Sequence, residues 1–508
     1  MSFNLATILR ESALAAPGSP VAKFMGTTMS YAELDAQSGQ FAAGLTEAGL
    51  VPGDVVAIHL PNVPHFLVAY FGVLKAGMTL LPLNPLLKAP EISYHLDDAQ
   101  AKLLVTFELF TADAEKAATE RKVPLYVLGF GQTPLPEGAQ AFDALLGTPA
   151  DTDPAGGIHP TNADDTAVLI YTSGTTGRPK GAELTHFQLY MNCSVAGRLF
   201  GGNSQDVTLA VLPFFHVFGL SSIINVTLLF GGCLSIVPRF EPKAVLDAIV
   251  SDGVTVIGGV PTMLQALTEL DTSDRDLSAL RVAVSGGASL PAEIMRAFED
   301  KFAIVVLEGY GLSETASTAS FNVSAEERKQ FSVGKPIWGV QMRIHDLDDN
   351  PLPPGQENVG EIVIRGHNVM KGYLGRAEAT AEAFRHGWFH TGDLGYVDDD
   401  GFFFIVDRSK DLVIRGGYNV YPREIEEVLF EHPDIVEAAV IGKPDDRLGE
   451  EVVAVIVVKD GVELSAEDVI AYTKERMAAY KYPREVRFID TLPKTPTGKV
   501  LKADLRTD

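Results

Sequence analysis

At 508 residues the chain is about 3.4 times the length of a typical ~150-residue domain, so two or more structural units are expected. Hydrophobic residues make up 46% and charged residues 21%, with no long block of like charge and no low-complexity tract, which excludes a mostly disordered chain. Subtracting 66 acidic from 41 basic residues leaves −25, an acidic surface that repels nucleic acid and anionic membranes, so a phosphate site must be a local device. Cys193 and Cys233 are the two cysteines. They cannot staple a chain of this size, and they point to a reduced, cytoplasmic compartment.

Met1 to Arg10 lacks the basic and apolar regions of a signal peptide, and none is expected. Val55 to Leu60 reads as a strand and His65 to Lys75 as a helix ending near Gly77. Leu80 to Leu83, Leu103 to Val105 and Leu125 to Leu128 read as further short buried strands. Apolar strands alternating with helices predict an α/β fold with mainly parallel sheets. Val207 to Pro238 carries no formal charge over 32 residues, long enough for a membrane span. Pro213, His216, Gly219, Ser221, Ser222, Asn225, Gly231 and Gly232 interrupt it, so it reads as buried strand, loop and helix rather than stable membrane insertion. Ser289 with Leu290 and Pro291 reads as the cap and first turn of a helix running to Phe302.

After Gly355 the texture becomes β-rich, with strands at Glu361 to Arg365 and Gly401 to Val406. From Asp411 the order is helix (Pro422 to Glu431), strands (Ala438 to Ile441, Val452 to Val458), helix (Ala466 to Ala479) and strand (Val486 to Ile489). The expected architecture is a large N-terminal domain, residues 1–409, of parallel-rich sheets flanked by helices plus a β-rich subdomain. A small α+β domain over 410–508 follows, with the boundary at the charged stretch Asp407 to Asp411.

The densest chemical signal runs from Tyr171 to Gly181, on a loop leaving the apolar run Ala167 to Ile170. Thr172, Ser173, Thr175 and Thr176 supply hydroxyls, Gly174, Gly177 and Gly181 free the backbone to turn N–H groups toward an anion, and Lys180 adds charge. Pro179 stands where a Walker A loop needs glycine, so the loop is of another kind. A second cluster, Glu308-Gly309-Tyr310-Gly311-Leu312-Ser313-Glu314-Thr315, lacks the third glycine of a dinucleotide fingerprint. Glu314 beside a phosphate loop is what Mg²⁺ needs. Asp393 in His390-Thr391-Gly392-Asp393 suits ribose hydroxyls, and Arg408 suits ribose or phosphate. His386 and His390 with Asp393 invite a metal reading, but Gly387 and the turn after it argue against a helix that would align the rings. Near the end, prolines 493 and 496 and Gly498 frame Lys499 in a stiff basic loop. No Gly-x-Ser-x-Gly, Cys-x-x-Cys or His-Glu-x-x-His motif is present.

In this order and spacing, these motifs, together with Met29 to Leu34 and Pro213-Phe214-Phe215-His216-Val217-Phe218-Gly219, resemble the adenylate-forming superfamily over essentially the whole chain. That superfamily includes acyl-CoA synthetases, aryl-CoA ligases, firefly luciferase and peptide-synthetase adenylation domains. The resemblance implies a carboxylate attacking MgATP to give acyl-AMP and pyrophosphate, with the thiol of CoA then displacing AMP. It implies that Thr172 to Lys180 cradle the β- and γ-phosphates, with Thr172 and Glu314 close to Mg²⁺. Gly286, Gly287 and Ala288 with Glu308, Gly309 and Tyr310 would embrace adenine and the acyl group, beside Gly311 and Ser313. Asp393 and Arg408 would hold ribose, and Lys499 would bridge carboxylate and α-phosphate. A mobile C-terminal domain hinged at Lys410 would then bring Arg415, Gly416, Gly417 and Tyr418 to the pantetheine channel.

By position relative to the family, His216, Phe218, Val260, Gly287 and Gly309 line the acyl pocket, and apolar walls with glycine floors favour an uncharged, elongated tail. Val413 to Pro422 looks like the fatty-acyl synthetases rather than the lysine-rich version of plant aryl ligases and luciferases. No tryptophan follows His216 as in some long-chain enzymes; Trp338 and Trp388 lie elsewhere. A medium- or long-chain fatty acid is therefore expected, an aromatic acid second, with a carrier-protein loader as the other open class. Glu308 and Ser313, where many relatives have glutamine and threonine, are departures that touch only adenine and pocket detail. Nothing in the sequence sets an oligomeric state, and a homo-oligomer is left open.

Overall fold

The computed structural model of the protein describes residues 3–131, 133–150, 156–172, 178–408, 410–416, 418–445, 447–495 and 498–506, without the side chain of Arg408. Among these residues the strands form four sheets. In the first, Val55–His59 pairs in parallel with Thr79–Pro82 and Leu103–Phe107, the latter with Leu125–Leu128, and Thr79–Pro82 with Thr166–Thr172. Lys180–Thr185 returns antiparallel to Thr166–Thr172 at the sheet's edge. In the second sheet Val305–Tyr310, Val282–Ser285, Val256–Gly259, Val207–Ala210 and Cys233–Ile236 run parallel, in that spatial order.

Between the sheets lies one continuous core. The helix Pro64–Lys75 starts with proline at its first turn and is buried from Phe66 to Lys75, as expected of a helix apolar on every side. Its one charge, Lys75, is fully buried and meets Asp35 Oδ1 at 2.6 Å. The Met29 to Leu34 stretch turns out to be structural. Ser30 caps the helix Tyr31–Glu47, its Oγ accepting from the Glu33 N–H while Glu33 reaches back to the Ser30 N–H, a reciprocal capping box.

The uncharged run from Val207 to Pro238 splits into strand Val207–Ala210, a π-helical segment Phe218–Asn225, a short helix Val226–Leu229 and strand Cys233–Ile236, all largely buried. No described helix is long and apolar enough to cross a membrane. One boundary differs from expectation: the helix near Ser289 begins only at Ala292, with Pro291 extended at φ −59°, ψ 141°. The Leu290 N–H donates to Glu308 Oε1 at 3.3 Å, which keeps Ser289 to Pro291 out of the helix.

A third, antiparallel sheet combines Val340–His345, Gly360–Gly366, Phe384–Arg385, Trp388–Val397 and Phe403–Arg408. The last strand is shifted two residues onward from the expected Gly401 to Val406. It pairs Asp393 with Arg408 and Leu394 with Asp407, and Asp407 is buried rather than exposed. The fourth sheet, Val413–Arg415, Tyr418–Val420, Ile435–Asp445, Gly449–Val458 and Glu485–Phe488, has its own cores on both faces. Val440, Val452, Ala454 and Ile456 face the helices Pro422–Phe430 and Ala466–Arg476, while Ala439, Ile441, Val453 and Val455 face Leu492 and Leu505. Both helices stop a little short of their expected ends, at Phe430 and Arg476.

Candidate active site

Parallel strands gather ligand-binding loops at their carboxyl ends. Here the ends of Thr166–Thr172, Val282–Ser285 and Val305–Tyr310 open onto one cavity of about 1780 Å³. Thr172, Lys180, His216, Gly287, Ala288, Gly309, Tyr310, Gly311, Ser313 and Glu314 line it, with Lys410 and Lys499 arriving from beyond the third sheet. Ser173 to Gly177 and Gly417 lie outside the described residues, as does the Arg408 side chain.

Near Thr172, Glu314 sits on the turn Ser313–Thr315. Its Oε1 accepts from Thr172 Oγ1 at 3.1 Å and from the Tyr373 hydroxyl at 3.0 Å. Lys180 Nζ stands 5.2 Å from the centre of the Tyr373 ring. The result is a cluster of hard oxygen donors beside an ammonium. Tyr373 lies in no sequence motif; its backbone is brought in by an isolated bridge to Ala182.

Asp393, on strand Trp388–Val397, is buried and accepts from the Tyr310 hydroxyl at 2.6 Å, while its N–H donates to Thr391 Oγ1 at 3.0 Å. His390 on the same strand also lines the cavity, bonding Glu361 through Nδ1 at 2.8 Å. No group of three or more His, Cys, Asp or Glu suited to a metal ion occurs among the described residues. The intervening His386, at φ 50°, occupies a turn rather than a helix.

His216 Nδ1 accepts the Phe218 N–H at 3.2 Å, which places the ring proton on Nε2. Burial, and then the charge of Lys499, push its pKa down to about 4, so the imidazole is neutral at physiological pH. Lys499 comes from a hairpin loop in which the Thr495 N–H donates to Lys499 O at 2.7 Å. Gly498 seats that loop at φ 81°: a Cβ there would stand 3.0 Å from both Thr262 Oγ1 and Val260 Cγ2. Gln265 Nε2 donates to Val436 O at 3.0 Å, a second tie between the two parts of the chain.

Glu308 does not face the main cavity. It lines a smaller one, against Arg423 and Glu426, below the junction of the two parts. Burial raises its carboxyl to about 7, opposed by the charge of Arg423 and reinforced by Glu427. Below about pH 4.5 the group is protonated whether folded or not and costs nothing. Between about pH 4.5 and about 7 the unfolded chain releases this proton while the folded one keeps it, so stability falls as pH rises, by on the order of 3 kcal/mol in all. Glu308→Gln is therefore expected to raise the melting temperature more near pH 8 than near pH 5. Equal shifts at both, measured by calorimetry, would count against this role. Gly416 and Tyr418 stand apart from both cavities, with Tyr418 exposed and stacked on Tyr480 at 4.6 Å between ring centres.

Residues 9–374 match the family described as AMP-binding enzyme, and residues 424–499 match the AMP-binding enzyme C-terminal domain. The chain belongs to this family. The AMP-binding enzyme is 39% identical over 494 residues to a feruloyl-CoA synthase of an Amycolatopsis species, covering 96% of each chain. It is 35% identical to a long-chain-fatty-acid–CoA ligase of Bacillus subtilis, covering 99% of this chain and 94% of that one. ATP-bound MatB from Rhodopseudomonas palustris shares its fold with a TM-score of 0.91 at 35% identity, over 100% and 99% of the two chains. The AMP-binding enzyme is thus an AMP-forming acid–thiol ligase of the adenylate-forming superfamily, using ATP and CoA with a carboxylic acid.

Proposed function

We propose that the acid is a medium- or long-chain fatty acid. The observation that carries this reading is a deep apolar lobe of the main cavity. Side chains two apart on a strand share a face. Val256 and Gly258 on one strand, with Val260 just past its end, form the lobe's floor beside Thr208 on the neighbouring strand and Leu212 just past it, under a roof of Phe218, Ile223 and Val226. Val256 to Val260 spans about 13 Å of extended chain, a slot suited to a slender alkyl tail. At Gly258 a Cβ would come within 2.5 Å of Ile223 Cδ1, so the glycine widens the slot against its roof.

On this reading Lys499 and the neutral His216 meet the carboxylate at the mouth, Lys499 offsetting charge that develops between carboxylate and α-phosphate. Asp393 receives the ribose hydroxyls. Lys180, Glu314 and Thr172 hold the phosphates, and the oxygens of Glu314 and Thr172 fit Mg²⁺, which when bound neutralises phosphate charge. A second reading, an aromatic acid, is favoured by the 39% identity to a feruloyl-CoA synthase. AMP release from MgATP with acetate, octanoate, palmitate, coumarate and benzoate, with and without CoA, separates the two. A CoA-dependent maximum at octanoate or palmitate supports the fatty acid; one at coumarate or benzoate replaces it.

The second half-reaction is proposed to need rotation about Lys410, bringing the Arg415 to Tyr418 loop inward. Lys410 is exposed, and its carbonyl accepts from Arg506 Nη2 at 3.4 Å. Proline there fixes φ and removes the N–H. Lys410→Pro is expected to slow thioester formation at least tenfold more than adenylation, a difference on the order of 1.4 kcal/mol in barrier height. Equal losses in both half-reactions, in single-turnover assays, would refute the hinge.

A further inference from the structure

The roof of the apolar slot is interrupted by hydroxyls. Ser222, on the π-helical segment, and Ser317 and Thr318, on the loop after Glu314, all line it. Ser222 Oγ lies 2.7 Å from Ser317 Oγ and 3.5 Å from Thr318 Oγ1. Each hydroxyl brings one donor and two acceptor positions. Three hydroxyls sharing these two contacts leave one O–H, and several lone pairs, for whatever fills the slot.

The loop presenting them is built at a cost. Ser317 has φ 106°, outside the range an L-residue readily adopts. It reaches that position because Gly311 has no side chain: a Cβ on Gly311 would stand 1.5 Å from the Ser317 carbonyl oxygen. The fully buried Asn192 then clamps the loop, donating to Thr318 O at 2.7 Å and accepting the Thr318 N–H at 3.3 Å. Asn368 adds a bond to the same carbonyl at 3.0 Å. Strain held in place by two buried amides marks preorganisation of a surface rather than a loose turn.

Ser222 follows Phe218 by four residues and precedes Val226 by four. It therefore lies part-way along the roof. From this placement we infer that the acid is oxygenated: an aliphatic carboxylic acid bearing a hydroxyl or carbonyl oxygen part-way along its chain, recognised by Ser222, Ser317 and Thr318. The inference rests on the slot being the acyl site. A plain methylene chain would bury the spare O–H against carbon without a partner, whereas a mid-chain oxygen would satisfy it. At the deep end Thr227 Oγ1 and Thr208 Oγ1 pair with each other at 2.9 Å, so the oxygen sought lies before them.

The test compares decanoate with its mid-chain hydroxy and keto derivatives, and cinnamate with coumarate, by AMP formation and pyrophosphate exchange. The wild type is expected to favour an oxygenated chain over decanoate by about tenfold or more in kcat/KM. Ser222→Ala, Ser317→Ala and the near-isosteric Thr318→Val should each shrink that ratio, chiefly through KM for the oxygenated acid. Thr318→Val keeps the test valid if the strained position 317 does not tolerate alanine. A wild type that treats decanoate and its derivatives alike would overturn the inference and leave the fatty-acid reading standing. So would a preference that survives the substitutions. Discrimination confined to coumarate over cinnamate would move the oxygen onto a ring, and turnover of aromatic acids alone would overturn the fatty-acid reading and the inference together.

Discussion

Lys499→Ala is expected to slow adenylation by about a hundredfold to a thousandfold, the usual consequence of losing a preorganised donor aimed at developing charge. Its loop is packed for that aim: Gly498 fits against Val260 and Thr262, and the ammonium is close enough to His216 to help keep the imidazole neutral. Arginine should not rescue, since its planar fork is longer and needs more room than an ammonium. Pyrophosphate exchange reads adenylation directly, and conversion of supplied acyl-AMP with CoA reads the second step. The loss should fall far more heavily on the first. Comparable losses in both would mean that Lys499 supports the fold of the site rather than the transfer of the nucleotide.

Glu314→Gln is expected to cost adenylation about a hundredfold, with a raised requirement for magnesium. Glutamine keeps the size of the side chain and one acceptor for Thr172 and Tyr373, but removes the charge. Thr172→Ala should cost less, because it deletes a neutral oxygen and leaves the carboxylate. A magnesium titration of pyrophosphate exchange decides the matter. An unchanged magnesium dependence in Glu314→Gln would place the ion's protein ligand elsewhere, provided the variant melts near the wild-type temperature.

Much of this site could be read from local chemistry. Thr172, Lys180, Glu314, Asp393 and Lys499 stand in short motifs rich in glycine or hydroxyls, and the strands preceding the first three have clear apolar patterns. What could not be read depends on partners far along the chain. Ser289 to Pro291 carries a proper helix-start pattern, yet the Leu290 N–H is taken by Glu308, eighteen residues on, and the helix begins only at Ala292. Tyr373 reaches Glu314 across 59 residues, and Asn192 grips Thr318 across 126. Glu308 stands in the same motif as Tyr310, yet the charge of Arg423 that bears on it comes from a helix more than a hundred residues later, which no local pattern announces.

The slot's floor and roof come from residues 208 to 318, whereas Lys410, Thr495, Lys499 and Leu501 reach the cavity from the C-terminal part, near its mouth. On the proposed reading, choice of acid and delivery of the reactive ammonium belong to separate stretches of chain with separate cores. A lineage could retune its diet by changing a handful of wall residues without relearning how to activate a carboxylate. Conversely, a defect in the terminal lysine loop should depress turnover of every acid by a similar factor, leaving their ranking in place.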